Sequence, residues 1–331
     1  MSFSAEPTNE IELAAFDPLN QRVPLPFHKT LYPIGFPLEI RTNDERVIAS
    51  AMKSWSDSQQ RFSTPPMQIR VAVSDGIETE IPPQPSFRAQ GHLLSIISDA
   101  ENFAVCDLET AFAFCWLAPR AARAGAWMRH FFLDAIAYCT LTHLYVTGVH
   151  AACIVKNGRG VLLSGRSGLG KSVLSLACGR AGWTFVTDDV AYVLRDSSSR
   201  TVIGKPGRMK FLPSAADLFP DADWGEFTVD QNGHSFVELE TAQAGILSAS
   251  ECTVDHLVFL KRPVDGVPRF SAVPPEDAFA RLLTELPVFA DSVYESHRRS
   301  LRMLTTLQPV ELAYNDLDDA VDLLNELVGG P

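Results

Sequence analysis

At 331 residues, with 46% hydrophobic and 21% charged side chains, the chain is long and apolar enough for a sizeable core and for more than one domain. Its 40 acidic and 28 basic side chains leave a net charge of −12 with no basic block to offset it, which argues against nucleic acid as a partner. Six cysteines without C-x-x-C or Cys/His ligand spacing argue against a zinc module and favour a reducing compartment.

In chain order, residues 1–28 are rich in Pro, Glu and Asn and have no sustained period, so they read as an extended segment. Residues 29–120 read as a small α+β domain. A short strand is expected at Leu38 to Arg41, and Asn43 is placed to cap a helix over Val47 to Met52. Met67 to Val73 alternates as a half-buried strand does. Ile81 to Pro85 is a Pro-rich loop. His92 to Ser98 and Asn102 to Asp107 read as a strand pair joined by a turn at Asp99-Ala100. This region carries no catalytic constellation, and recognition, assembly and plain scaffolding all stay open for it. Pro119 to Ala126 reads as a linker or helix start, and residues 121–331 form a second domain.

The most hydrophobic stretch, Phe131 to Val149, contains Asp134, Thr140, Thr142 and His143. It is too polar for a membrane span and reads as a buried helix followed by a strand. With no basic-then-apolar signal segment at the N-terminus, a cytoplasmic protein without a membrane partner is expected.

Gly165-Arg166-Ser167-Gly168-Leu169-Gly170-Lys171-Ser172 fits G-x-x-x-x-G-K-[ST], the loop that cradles nucleotide phosphates. An apolar strand pattern, Gly160 to Ser164, leads into it. An apolar helix pattern (Val173, Leu174, Leu176, Ala177) leaves it, and Gly182 is placed to end that helix. Gly165, Gly168 and Gly170 permit backbone conformations closed to other residues, so that the N–H groups of the loop, Ser167 included, can converge on one anion. The helix adds its positive N-terminal end. Lys171 would hold the β/γ-phosphates of ATP, and the Ser172 hydroxyl would bind Mg²⁺. Trp183 to Thr187 then reads as a buried strand ending in Asp188-Asp189, where ligands of α/β sheets bind. One carboxylate there can serve a metal and the other can take a proton from an attacking hydroxyl; a turn or capping pair is the plain alternative. His150, after an apolar strand, reads alone as a satisfied core residue or as a partner of the acid pair.

From His150 to Asp189 these pieces resemble the C-terminal domain of bacterial HPr kinase/phosphorylase. Val149-His150-Ala151-Ala152, the loop from Gly165 to Ser172, and Val186-Thr187-Asp188-Asp189 follow one another as in that family. The resemblance implies a P-loop kinase core of the HPr kinase and phosphoenolpyruvate-carboxykinase-like α/β type, beside a smaller α+β N-terminal domain. It also implies ATP, Mg²⁺ and a serine acceptor on a small protein or peptide. For individual residues it implies Asp188 as the base, His150 near it, Lys171 on the transferred phosphate and Asp189 with Ser172 on the metal side. Members of that family assemble as homo-oligomers, which the resemblance brings into view without any interface signature here. The family's Glu-x-Arg-Gly signature is missing; Gly204 to Pro213 stands in its place, so HPr itself and the reverse reaction do not carry over.

Downstream, strands are expected at Val190 to Leu194, Thr201 to Ile203, Phe236 to Leu239 and His256 to Leu260, with a hairpin turn at Asp196 to Ser199. Pro220 to Gly233 reads as a candidate mobile loop. Helices are expected over Pro275 to Leu286, Ser292 to Leu307 and Leu317 to Val328. His297, Arg298, Arg299 and Arg302 form a basic cluster that reads as a solvated face or a phosphate contact. The expected activity is an ATP- and Mg²⁺-dependent phosphotransferase. A small-molecule kinase and an inactive nucleotide-binding sensor or assembly protein remain as alternatives. Phosphate loops grip phosphates and not bases, so ATP, GTP and pyrophosphate are not separated as donors.

Overall fold

The computed structural model describes residues 23–75, 80–195, 200–222, 224, 228–229, 235–262, 266–286 and 291–329. The chain is mixed α/β with several sheets and divides into two compact units, Met1–Tyr138 and Cys139–Pro331.

The first unit is built on a seven-stranded sheet in the order β1-β2-β3-β7-β6-β5-β4. Its strands are β1 (Phe27–Leu31), β2 (Leu38–Thr42), β3 (Met67–Val73), β4 (Ser86–Gln90), β5 (Leu93–Ile97), β6 (Phe103–Asp107) and β7 (Phe112–Leu117). β2, β3 and β7 are parallel and the remaining pairs antiparallel. A parallel pair needs a crossover, and the helix Glu45–Trp55 supplies it between β2 and β3, burying Val47, Ser50, Ala51 and Trp55. Its N-cap is Asp44, whose side chain accepts from the Arg46 amide at 2.9 Å.

Asn43, expected as that cap, does something else. Its amide group donates to the Val73 carbonyl and accepts from the Val73 N–H, both at 2.8 Å. A carboxamide has the donor and acceptor of a peptide unit, so Asn43 extends the pairing of β2 with β3 beyond the last paired residue.

The second unit has an eight-stranded mixed sheet in the order β10-β8-β11-β12-β16-β18-β17, with β9 pairing β8 and β16. Its strands are β8 (Val146–Lys156), β9 (Arg159–Ser164), β10 (Thr184–Thr187), β11 (Val190–Leu194), β12 (Thr201–Ile203), β16 (Glu251–Lys261), β17 (Arg269–Ala272) and β18 (Val310–Ala313). A second sheet, β13-β15-β14, contains β13 (Arg208–Phe211), β14 (Thr228–Val229) and β15 (Ser235–Glu240). β9 is buried on both sides, which explains its uninterrupted apolar run. Leu163, Ile154 and Val258 pack in one cluster with Leu174 and Cys178 of helix Lys171–Arg180 and with Leu324 and Val328 of helix Leu317–Gly329. Leu162, Val149 and Val254 pack in another with Phe279 and Leu282 of helix Pro275–Thr284 and Leu301 and Leu304 of helix Asp291–Thr305. A third cluster joins Leu176 and Phe185 to Met209, Phe211, Val237 and Leu239, seating the small sheet on helix Lys171–Arg180 and the end of β10.

His297 does not share the face of the arginines in the basic cluster, of which Arg299 and Arg302 are exposed. His297 is fully buried, with Nδ1 2.9 Å from the Thr147 hydroxyl, and burial pushes its pKa down to about 3. Arg302 and Arg298 lie over the Phe279 ring at 3.8 and 5.3 Å, covering apolar surface with their guanidinium planes. The expected turn at Asp196 to Ser199 lies outside the described residues, as does most of Pro220 to Gly233.

Two expectations test this packing. A Cβ at Gly160 would stand 2.2 Å from the Thr253 carbonyl, so Gly160→Ala should force β9 and β16 apart at a cost of about 2–3 kcal/mol. Asn43→Ala strips partners from the backbone of buried Val73 and should cost about 1–3 kcal/mol. Urea midpoints of the two variants against wild type measure both, and an unchanged midpoint refutes the corresponding contact.

Candidate phosphate-binding and catalytic site

The site is built where β9 ends. Ser164 is buried, and the chain then turns through a loop whose Arg166, Ser167 and Gly168 are exposed. Gly168 and Gly170 take φ values of 85° and 96°, in the left-handed region that glycine tolerates best. Gly170 is the N-cap of helix Lys171–Arg180, whose first N–H groups have no partner within the helix and so are available to an anion. The Gly165 carbonyl faces inward and accepts from Lys171 Nζ at 2.7 Å.

β8 delivers the next group. Its residue Ala151 pairs with Ser164 and its residue His150 with Val190, which sets His150 between the loop and the strand that follows the acid pair. His150 Nε2 lies 2.9 Å from Lys171 Nζ, and its Nδ1 lies 3.3 Å from an Asp189 oxygen. A ring with its proton on Nδ1 meets both contacts, donating to the carboxylate and accepting from the ammonium.

The two carboxylates sit in opposite environments. Asp188 is 7% exposed; it accepts from the Lys210 backbone N–H at 3.0 Å, and the nearby Ser172 side chain also favours its ionised form. Burial, with the adjacent Asp189 charge adding to it, pushes Asp188 up to about 6 against the pull of both. Asp189 is exposed, and its hydrogen bond with His150, helped by the charges of Lys171 and Lys205, holds its carboxyl below the usual range. Lys171 is itself buried, and burial lowers its pKa against the attraction of Asp189, Glu285 and Asp188. Two neighbouring carboxylates pushed apart in this way are suited to two different tasks.

Every residue expected in the site therefore lies at one place: Gly165, Ser167, Gly168, Gly170, Lys171 and Ser172 on the loop and helix start, with His150, Asp188 and Asp189 beside them. Ser172 stands close enough to Asp188 to favour its ionised form. Hydroxyl and carboxylate oxygens side by side are a donor set that fits Mg²⁺, an ion that takes few protein ligands when phosphate supplies the others. Among the described residues no group of three His, Cys, Asp or Glu side chains is arranged to hold a metal alone.

Three contributors were not visible in the sequence. The Tyr314 hydroxyl, from the residue after β18, donates to the Leu169 carbonyl at 3.1 Å and pins the loop from below. Arg262, just past β16, lies 4.9 Å over the Tyr314 ring and reaches the carbonyls of Tyr314 and Asn315 at 3.4 and 3.5 Å. The third is the backbone amide of Lys210 on Asp188. None belongs to a motif; the one signal available was that β16, like β9, ends in a polar residue at the same sheet margin.

No protein-family model matches the chain, and no curated protein matches it. Among solved structures, the Hpr(Ser) kinase/phosphatase from Coxiella burnetii aligns at 15% identity and a TM-score of 0.28, over 56% of this chain and 99% of that one. A superposition that loose carries no argument about function, so the resemblance from His150 to Asp189 stands on those residues and on the geometry they adopt.

Proposed function

We propose that the protein is an ATP- and Mg²⁺-dependent phosphotransferase with a kinase-like core that phosphorylates a serine hydroxyl on a small protein or peptide. The observation that carries this reading is the link from the loop to the acid pair through His150, whose Nε2 lies 2.9 Å from Lys171 Nζ and whose Nδ1 lies 3.3 Å from an Asp189 oxygen. The loop amides and Lys171 would bind and orient the phosphates. Mg²⁺ would be held by Ser172, which lies beside the acid pair, and by the exposed carboxylate of that pair, Asp189, and would supply charge neutralisation at the phosphate oxygens. Asp188, lifted towards neutral pH, is suited to take the proton of the attacking hydroxyl. His150 would keep Asp189 ionised and in place through Nδ1 while it positions Lys171 through Nε2. Phosphoryl transfer needs little covalent help, so positioning and charge account for most of the rate.

The deciding experiment is transfer from γ-labelled ATP with Mg²⁺ to lysate of the source organism. A labelled protein made by wild type and not by Lys171→Ala is the expected result, with the variant down by about 100-fold or more. Label confined to metabolites would replace this reading with a small-molecule kinase. Nucleotide binding without transfer would replace it with a sensor.

A second expectation separates the role of Asp188 from a structural one. Its folded-state pKa of about 6 lies above the ordinary 3.8, so folding favours the protonated form. The stability this provides is present below about pH 4 and is lost as pH rises through about 6, amounting to about 3 kcal/mol across the window. Asp188→Asn should therefore lower kcat by about 10²–10⁴ yet raise the melting temperature of the nucleotide-free protein at pH 7, with no gain at pH 4. A variant less stable at both pH values would make Asp188 a structural residue.

A further inference from the structure

Two cysteines outside the phosphate site stand in direct contact. The sulfurs of Cys153, on β8, and Cys252, on β16, lie 3.3 Å apart. The two strands are not neighbours in the sheet, because β9 pairs with both and separates them. Gly160, at the start of β9, is what lets the thiols meet. The Cys252 sulfur lies 3.0 Å from the point where a Cβ at Gly160 would stand, so the missing side chain is the space the thiol fills. Cys153 is fully buried beside Val149 and Ala151, whereas Ala152 and Ile154 belong to the core under the phosphate-loop helix. His150 is three residues from Cys153 and so faces the other side of β8, which separates the thiol pair from the catalytic constellation. Cys252 is only half-buried, while Cys106, Cys115 and Cys178 are buried like Cys153. Contact with Cys252, together with burial, pushes the Cys153 thiol up, which makes Cys153 the proton donor of the pair.

We propose that Cys153 and Cys252 form a reversible oxidation site, in which Cys252 reacts with hydrogen peroxide and Cys153 then closes a disulfide that ties β8 to β16. This goes beyond the phosphotransferase reading and does not depend on it. In the first step the Cys252 thiolate attacks one peroxide oxygen and the O–O bond breaks, giving a sulfenic acid and one water. In the second the Cys153 sulfur attacks the Cys252 sulfur. The Cys153 proton and the sulfenic hydroxyl leave as a second water, and the S–S bond forms. The two thiols together lose two electrons and two protons, and the peroxide is reduced to water. Closing 3.3 Å to a bond of about 2.0 Å asks for an approach of about 1.3 Å, and Gly160 puts no side chain in the way. The division of labour follows from exposure: the half-buried thiol meets the oxidant, and the buried one waits in contact to resolve it. Where thiols are kept reduced such a bond is transient, and it registers oxidant rather than holding the fold. While it lasts it links the strands on either side of β9, the strand that leads into the phosphate loop, and closes the long segment from Cys153 to Cys252.

The test treats the folded full chain with hydrogen peroxide, blocks the remaining thiols under denaturing conditions and reads the mass. The expected product has four blockable thiols, two fewer than the six of the reduced chain, and yields a peptide pair linked through Cys153 and Cys252. Dithiothreitol should restore all six. The linked chain should melt higher by about 5 °C or more, because the bond closes a long segment of the unfolded chain. Cys153→Ser removes the resolving thiol, so dimedone should label a sulfenic acid at Cys252 in that variant and not in wild type. Cys252→Ser should leave the buried Cys153 thiol unmodified. The wild-type result decides the proposal even where Cys153→Ser, at a buried position, fails to fold. Six blockable thiols at a peroxide dose that oxidises free cysteine overturn it. So does a stable sulfenic acid at Cys252 of wild type without a link, or a link between other cysteines. A linked chain that melts lower than the reduced one would place bond formation in opened chains and overturn it as well.

Discussion

Asp188 is a carboxylate placed at the end of β10 with 7% of its surface exposed, and an ionised group there needs its surroundings to replace lost water. The Lys210 amide from β13 does part of this at 3.0 Å, and the Ser172 side chain at the start of helix Lys171–Arg180 also favours the ionised form. The hydrogen bond ties the small sheet to the carboxylate that follows β10. The compensation is incomplete, because the carboxyl remains shifted up to about 6. That residual penalty is destabilising for the fold, and it is what the proposed role in proton abstraction would draw on.

The mixed sheet is what makes such an arrangement reachable. A wholly parallel sheet would bring only strand ends and their following loops to one margin. Here the eleven-residue β8 runs antiparallel to β9, β10 and β11 at once, so the middle of a strand, His150, reaches the same margin as the ends of β9 and β10. The loop is consequently held from two directions: His150 touches Lys171 on one side, and Tyr314, after the parallel β18, holds the Leu169 carbonyl on the other. Gly160 permits the close approach of β9 to β16.

The sequence made the local parts of this site legible and left the long-range parts hidden. The loop could be read because phosphate cradling demands glycine at fixed offsets, and β9 because burial on both faces leaves an unbroken apolar run. Asp188 and Asp189 could be read because they follow a buried strand close behind the loop. β7 could not be assigned, since Phe112-Ala113-Phe114-Cys115-Trp116-Leu117 is apolar throughout and its alternation appears only in burial. β4, exposed at every position, carries no period at all. β18 hides between two helices, and Tyr314 with it, while β17 lies between β16 and a helix. Asn43 was misread for a related reason: the same side chain that caps helices also mimics a peptide group, and only the tertiary position of Val73 decides between the two. The Lys210 contribution is a backbone amide and leaves no trace in side-chain identity.

Lys171 shows why the site should attract phosphate even before any reaction is considered. The ammonium is 7% exposed, and among the described residues no carboxylate lies at ion-pair distance from it. Its contacts are a carbonyl oxygen and an imidazole nitrogen, at 2.7 and 2.9 Å, neither of which carries a negative charge. They engage two of its three donors without cancelling its charge, while Asp189 is held on the far side of the His150 ring. A desolvated cation satisfied in this way has a larger free-energy gain available from an anion than an exposed lysine has, because the desolvation is already complete. The loop amides and the helix start add donors pointing to the same space. His150 thus has two effects: it keeps the acid side of the site from neutralising the cation, and it holds the cation where an arriving phosphate would meet it.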